Sequence, residues 1–398
     1  MSTATKQSTV ASTGQSVVAT SADAGRAAAE QALAGLGGRT ATLLLAFIAP
    51  NHTYTDALAG IQAVFPGCPV IGASTAGEFT ERGKTTGGIA ILALGSGSMQ
   101  TVINKATGLR QDPAAVAGAA LGEFAATQRA MMADGLVNAT VLSFSDGLAG
   151  RGEDMVAAIA KQVGLSVQLA GGAAADGGKF AETVVFHDGQ ATPDTLVTAA
   201  LFTEGKVGIG VRHGMSPAGS KMKVTKADKT ILFELDGKPA FEAYRAFAKE
   251  RGVELTPETA GSYMIAHELG IHMIGNINKV RAPLSVNPDG SLNLATEIPM
   301  NAFVSIMDGG AESLIPAARE AALEAKKNLG QGEAAAVLLI DCICRGIILD
   351  TEFQREIDTV REVFGDVPVA GFLTYGEIAK YGGQLNGFHN STAVVVAI

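Results

Sequence analysis

Chemistry in this chain can come from two short stretches, "MIAHELGIHMIG" (264–275) and "DCICRG" (341–346). The first holds His267 and His272. A His-Glu pair opens the zinc-protease motif, but that motif needs its second histidine four residues on. Five residues turn the second ring about 140° away around a helix, and Gly270 weakens such a helix, so a zinc protease is excluded. A single neutral imidazole can instead serve as the axial ligand of a haem iron, and Met264, Ile265, Leu269, Ile271, Met273 and Ile274 would suit an apolar porphyrin. The plain alternative is two partly buried histidines in a Met-rich core. The second stretch holds Cys342, Cys344 and Arg345. C-x-C without further cysteines nearby is a poor zinc site. A nucleophilic Cys342 would need a base such as His389, and Arg345 can grip a carboxylate of an amino acid or a haem propionate. The plain alternative is two small apolar side chains and a surface arginine. Tyr375 and His389-Asn390 are polar groups near the last apolar run. No phosphate loop, serine elbow or dinucleotide fingerprint accompanies them, which makes an enzyme the weaker class.

These residues must be positioned by a repeat. "PVIGASTAGE" (69–78) returns as "PVAGFLTYGE" (368–377), and a weaker copy ends in "LAGGAAADG". Each copy follows an apolar run and a stretch with helical spacing, over residues 41–78, 139–177 and 335–377. That is the pattern of a βαβ unit, with parallel strands joined by a crossover helix. The fold expected is α/β, with duplicated βαβ-containing halves, mostly parallel core sheets and added antiparallel strands. Gly72, Gly171 and Gly371 end the second run of each copy, and ligands of open α/β sheets sit beyond such ends. The three glycines are therefore expected to border one ligand crevice, together with Glu377 and Cys342. Glu78, Glu377 and Asp176 follow them, either to cap nearby amides or to pair with Arg345. Residues 196–240 and 278–308 alternate in polarity around Gly and Asp-Gly turns and read as antiparallel strands. An amphipathic helix begins at Ala311.

The first 24 residues, rich in Ser, Thr and Ala, read as a flexible tail rather than a secretory signal. Domains are expected over 25–220 and 221–398. The apolar runs are too short to cross a bilayer, which takes about 20 residues, so no membrane association is expected. Three cysteines make no orderly disulfide framework and suggest a reducing cytosol. A net charge of −9 with scattered Lys and Arg argues against a nucleic-acid partner.

At this level the chain resembles the FIST sensory family. "VIGASTAGE", "LAGGAAADGGKF", "VRHGMSPAG" and "ELDGKPAFEAY" are similar to its N-terminal domain; "VRAPLSVNPDGSL", "DCICRG", "GFLTYGEI" and "FHNSTAVVV" are similar to its C-terminal domain. The likeness spans residues 25–398. It implies a bacterial cytoplasmic ligand sensor with its output in a separate partner. "AHELGIH", "DCICRGIIL" and "GFLTYGEIAKYGG" look most like the branch of haem-binding nitric oxide sensors that regulate a histidine kinase. The resemblance thus implies haem as cofactor, nitric oxide as ligand, a histidine as iron ligand, and a possible homo-oligomer. His267 is the first choice, His272 the second, and His213 the third, since its His-Gly motif looks shared with members that bind no haem. Arg345 and Tyr375 would complete that site. The alternative implied is a haem-free sensor of small molecules such as amino acids.

Overall fold

The computed structural model describes residues 8–275, 277–381 and 386–398. Its parallel strands form three pairs: Leu43–Ile48 with Val70–Ser74, Asn138–Ser145 with Gln168–Ala173, and Val337–Cys342 with Val369–Thr374. Each pair is joined by a crossover helix, Tyr54–Val64, Gly152–Val163 or Phe353–Phe364. The last of these shows why: Phe353, Ile357, Val360 and Val363 recur at helical spacing and are buried as one face.

Three modules, rather than two halves, organise these pairs. In each, a lead strand (Val10–Ser16, Met99–Thr107 or Gly208–Arg212) pairs antiparallel with a return strand (Ile89–Gly95, Thr195–Thr203 or Ala393–Ala397), which pairs with the first parallel strand. Between its second parallel strand and its return strand each module extends a hairpin, and the hairpins are exchanged. The hairpin of the first module, starting at Glu78–Thr80, pairs with Val369–Thr374 of the third. That of the third, starting at Gly376–Lys380, pairs with Gln168–Ala173 of the second. That of the second, starting at Val185–His187, pairs with Val70–Ser74 of the first. The result is three six-stranded sheets of the same strand order, in which every module lacks an edge that another supplies. Their inner faces share one core, where Phe47, Phe144 and Phe372 meet with ring centroids 4.5–6.0 Å apart.

Two sequence expectations change here. Val10–Ser16 lies in the stretch read as a flexible tail, yet it is the first lead strand. Its small residues let the Ala-rich helix Ser21–Gly35 come so close that a Cβ on Gly14 would strike the carbonyl of Ala28. The boundary expected near residue 220 falls inside an insertion, residues 213–310, that interrupts the third module between its lead strand and the helix Ala311–Leu329. As its alternating polarity predicts, the insertion is antiparallel: a nine-stranded sheet with its own core around Tyr244, Phe247, Met264, Leu269, Leu292 and Ile306.

Candidate functional site

Gly72, Gly171 and Gly371 occupy equivalent places, each in the second parallel strand opposite Ala46, Ser143 and Leu339. They do not border a crevice. A Cβ at any of them would enter the carbonyl oxygen of that partner, so glycine is required for close backbone approach. The carboxylates also follow the module logic. Glu78 accepts the Gly88 amide at 2.7 Å and Glu377 the Thr392 amide at 3.0 Å, each just before a return strand. In the second module Asp146 takes this part, accepting the Asp194 amide at 2.7 Å. Capping, rather than pairing with Arg345, is therefore what these groups do.

Arg345 is corrected from a surface ligand grip to a buried tie. It is 0% exposed. Its Nη2 donates to Glu356 at 2.6 Å and to the Leu314 carbonyl at 3.1 Å, its Nε faces Asp341 at 2.8 Å, and its Nη1 donates to the His213 carbonyl at 2.9 Å. The guanidinium thus fastens the first parallel strand of the third module, its two helices and the entry to the insertion to one another.

The histidines are dispersed. His267 ends the helix Pro257–Ala266, with Nδ1 3.2 Å from Asp308 and its ring against Tyr263 and Phe247. His272 meets Ser305 at 2.9 Å. His213 accepts the Met215 amide at 3.0 Å; burial and the Arg345 charge push it down to about 4, so it is neutral. His389 is fully buried and held well below the usual range by burial and by Lys279 and Arg281.

What the fold does bring together is Cys342, Cys344, Tyr375 and Asn390, on one cavity of about 190 Å³. The cysteines and Tyr375 stand at the two parallel-strand exits of the third module. Gly147, Leu148 and Phe180 come from the corresponding exits of the second, and Thr230, Ala282, Leu284, Leu294 and Ala295 from the insertion. No lysine, arginine, histidine or carboxylate side chain lines it. Asn390, 1% exposed, directs Oδ1 to the Ala282 amide and the Thr296 hydroxyl. Its Nδ2 has no partner among the described residues.

Phe180 stands at the cavity in the left-handed region, φ 52°, and stacks on Tyr375 with centroids 4.6 Å apart. Such a backbone is costly for a bulky residue and must be held. Asp176 does so by accepting the amides of Lys179, Phe180, Ala181 and Glu182 at 2.7–3.1 Å and the Tyr375 hydroxyl. Despite burial, these bonds leave the Asp176 carboxyl below its usual range. The Tyr375 oxygen also accepts the Gly178 amide at 2.9 Å, joining the second and third modules. Tyr375→Phe is expected to cost about 1.5–3 kcal/mol, as for a hydrogen bond to a charged group, and to hasten amide exchange over 176–182 first. Hydrogen-exchange mass spectrometry reads both; unchanged protection would refute this support.

Behind the cysteines lies a buried polar cluster. Burial opposes ionisation of Cys342, but bonds from the Cys344 thiol and amide, the Ser391 amide and Glu377 outweigh it and bring the thiol down to about 6. Cys344 is held well above the ordinary thiol range by its bond to Cys342 and by burial. Burial and the Cys342 charge raise Glu268 to about 8, and the same causes hold Glu377 well above its usual range. Sequence reasoning named Glu268 only to discard the motif around it, and missed Leu148 and Phe180 altogether. Their one signal was position: they follow strand ends in the second copy of the repeat.

A three-module α/β protein with a cavity between two modules and an insertion is the class defined here. The chain belongs to the FIST family: residues 42–238 match the FIST N domain and 240–380 the FIST C domain, which are signal-transduction sensor domains. It is 25% identical over 252 residues to an uncharacterized protein of Methanocaldococcus jannaschii, covering 57% of this chain and 48% of that one. It is 26% identical over 241 residues to uncharacterized proteins of Mycobacterium bovis and Mycobacterium tuberculosis, covering 57% of this chain and 60% of each. The chain thus spans about half to three-fifths of these relatives. A solved cyanuric acid hydrolase from A. caulinodans has a TM-score of 0.27 at 12% identity, covering 49% of this chain and 71% of that one, too slight a likeness to bear on function. Among the described residues no helix is long and apolar enough to cross a membrane.

Proposed function

We propose that this chain senses a small uncharged molecule held in the cavity over Cys342, and relays its presence to a separate signalling protein such as a histidine kinase. The carrying observation is that the cavity is walled by two modules and the insertion but by no formally charged side chain apart from the Cys342 thiol. A bound molecule touches all three parts at once. It therefore favours the arrangement that fits it and shifts the population of the surfaces they present. A free amino acid, the alternative expected from the family, would bury its carboxylate without a cation and beside an ionised thiol, which is unfavourable.

Haem fits these residues poorly. The cavity at the cysteines has no histidine on its walls and lies below the roughly 300–1,000 Å³ of ordinary cofactor pockets. The two larger hollows described also have none, and His267 is packed between aromatic rings and Asp308.

A thermal-shift screen of neutral molecules of a few heavy atoms is expected to find selective stabilisation, about 2.7 kcal/mol at a hundred times the dissociation constant. Ala295→Leu, which fills the cavity, should abolish it while leaving the unliganded protein folded. Stabilisation by charged amino acids that survives Ala295→Leu refutes the proposal. So does a Soret band, on adding haem, that is lost with His267→Ala.

A further inference from the structure

Nothing so far assigns a role to the two cavity cysteines, yet their setting is specific. Cys342 ends a parallel strand and Cys344 lies in the first turn of the helix Ile343–Leu349, and both line the same small cavity. Each thiol acts on the other's ionisation, Cys344 lowering that of Cys342 and Cys342 raising that of Cys344. Above them, Asn390 offers an amide with no partner among the described residues, from a side chain 1% exposed. Beside and behind them stand Glu377, Glu268 and Asp341 as carboxyl groups, the Arg345 guanidinium, and the Ser391 amide. Cys68, the remaining cysteine, does not line this cavity, and burial raises its thiol to about 11.

We infer that Cys342 and Cys344 are a redox dithiol, in which Cys342 reduces an uncharged hydroperoxide admitted to the cavity and Cys344 closes an intramolecular disulfide. Hydrogen peroxide and small alkyl hydroperoxides match the size and neutrality of the site. The Cys342 thiolate attacks one peroxide oxygen. A sulfur–oxygen bond forms, the O–O bond breaks, and its electron pair leaves on the distal oxygen as hydroxide or alkoxide. That oxygen takes a proton from water in the mouth of the cavity, giving water or alcohol and a Cys342 sulfenic acid. The Asn390 amide stands where it can donate to the peroxide. Cys344, losing its proton to the hydroxide left in that water, then attacks the Cys342 sulfur. The S–S bond forms, the S–O bond breaks, and hydroxide leaves to solvent, where the proton that Cys342 gave up on ionising makes it water. In sum, two thiols and one hydroperoxide give one disulfide, one alcohol or water, and one water. The two electrons come from the dithiol. The disulfide redraws one wall of the sensing cavity, so the inference rests on the reading of that cavity as the sensor site and gives it a substrate class.

The test uses the reduced full chain, treated at pH 7 with stoichiometric hydrogen peroxide and, separately, cumene hydroperoxide, then blocked with N-ethylmaleimide. Cys342 and Cys344 share one tryptic peptide, which should lose two hydrogens while Cys68 is still alkylated. At pH 7 the thiolate fraction favours Cys342 over Cys68 by roughly 10⁴, offset by roughly 10² in nucleophilicity, so hydrogen peroxide should oxidise Cys342 roughly a hundredfold faster. With Cys344→Ser the reaction should stop at a sulfenic acid that dimedone traps on Cys342; with Cys342→Ser, Cys344 should stay reduced. The competition with Cys68 is read in the unaltered protein, so it holds even if a variant misfolds. Cys68 oxidising first, or Cys342 staying reduced, overturns the inference. The same preparations are screened for neutral ligands. Stabilisation without disulfide formation removes the dithiol alone; disulfide formation without any stabilising ligand keeps the dithiol and removes the reversible-ligand reading.

Discussion

Arg345→Met is expected to cost about 3–5 kcal/mol of stability, the range for removing one partner of a buried ion pair. The guanidinium, Asp341 and Glu356 are all 0% exposed. Without it, two carboxyl groups remain in the interior with no opposing charge, and burial together with Glu356 already pushes the Asp341 carboxyl well above its usual range. The Leu314 and His213 carbonyls lose their donor as well. Denaturant melts read the cost, and hydrogen exchange should show the entry to the insertion at His213 and the helix Ala311–Leu329 loosening together. Adding Asp341→Asn and Glu356→Gln should recover much of the loss, because neutral amides cost less to bury than charges. A cost below about 1 kcal/mol for Arg345→Met would mean that the guanidinium is not needed for the fold and is free to bind a ligand.

Alanine at Gly72, Gly171 or Gly371 is expected to cost about 3 kcal/mol, the upper end for overpacking, and most at Gly72, whose φ of 154° an L side chain rarely adopts. The added carbon meets a carbonyl oxygen of the neighbouring parallel strand in all three cases, and at Gly371 the Phe79 ring as well. Backbone atoms inside a sheet cannot swing aside as a flexible side chain can. Urea melts of the three variants read the costs directly. One variant melting like the parent would show that its module is built differently at this point. Gly205, with open space where its Cβ would stand and a backbone that any residue adopts, should tolerate alanine far better.

How far the sequence carried this reading differs from one feature to the next. The βαβ units were legible because apolar runs, helical spacing and the Pro-Val-x-Gly strand recur, and each of those signals is local. The helix from Ala311 and the antiparallel texture of 278–308 were legible for the same reason. Glu356 left a readable trace too: it interrupts the apolar face of Phe353–Phe364, and an acid at such a position calls for a buried partner. The partner was not legible. Arg345 beside Cys344 looks like a surface arginine until Glu356, from a helix later in the chain, is placed against it. Val10–Ser16 was misread because composition speaks for burial only on average, and here small residues serve close packing against a helix.

By itself, then, the sequence determined the local elements, their repetition, the strand-end placement of Cys342 and Tyr375, and membership of the FIST family. Only the tertiary structure decided that there are three modules rather than two halves, that they exchange hairpins, and that Phe180 and Leu148 of one module face the cysteines of another across the insertion. The physical reason is the range of the forces involved. Propensity and periodicity act within a dozen residues. Hairpin exchange, buried charge pairing and the cavity arise between segments up to nearly three hundred residues apart, where many local patterns are compatible and only packing selects among them.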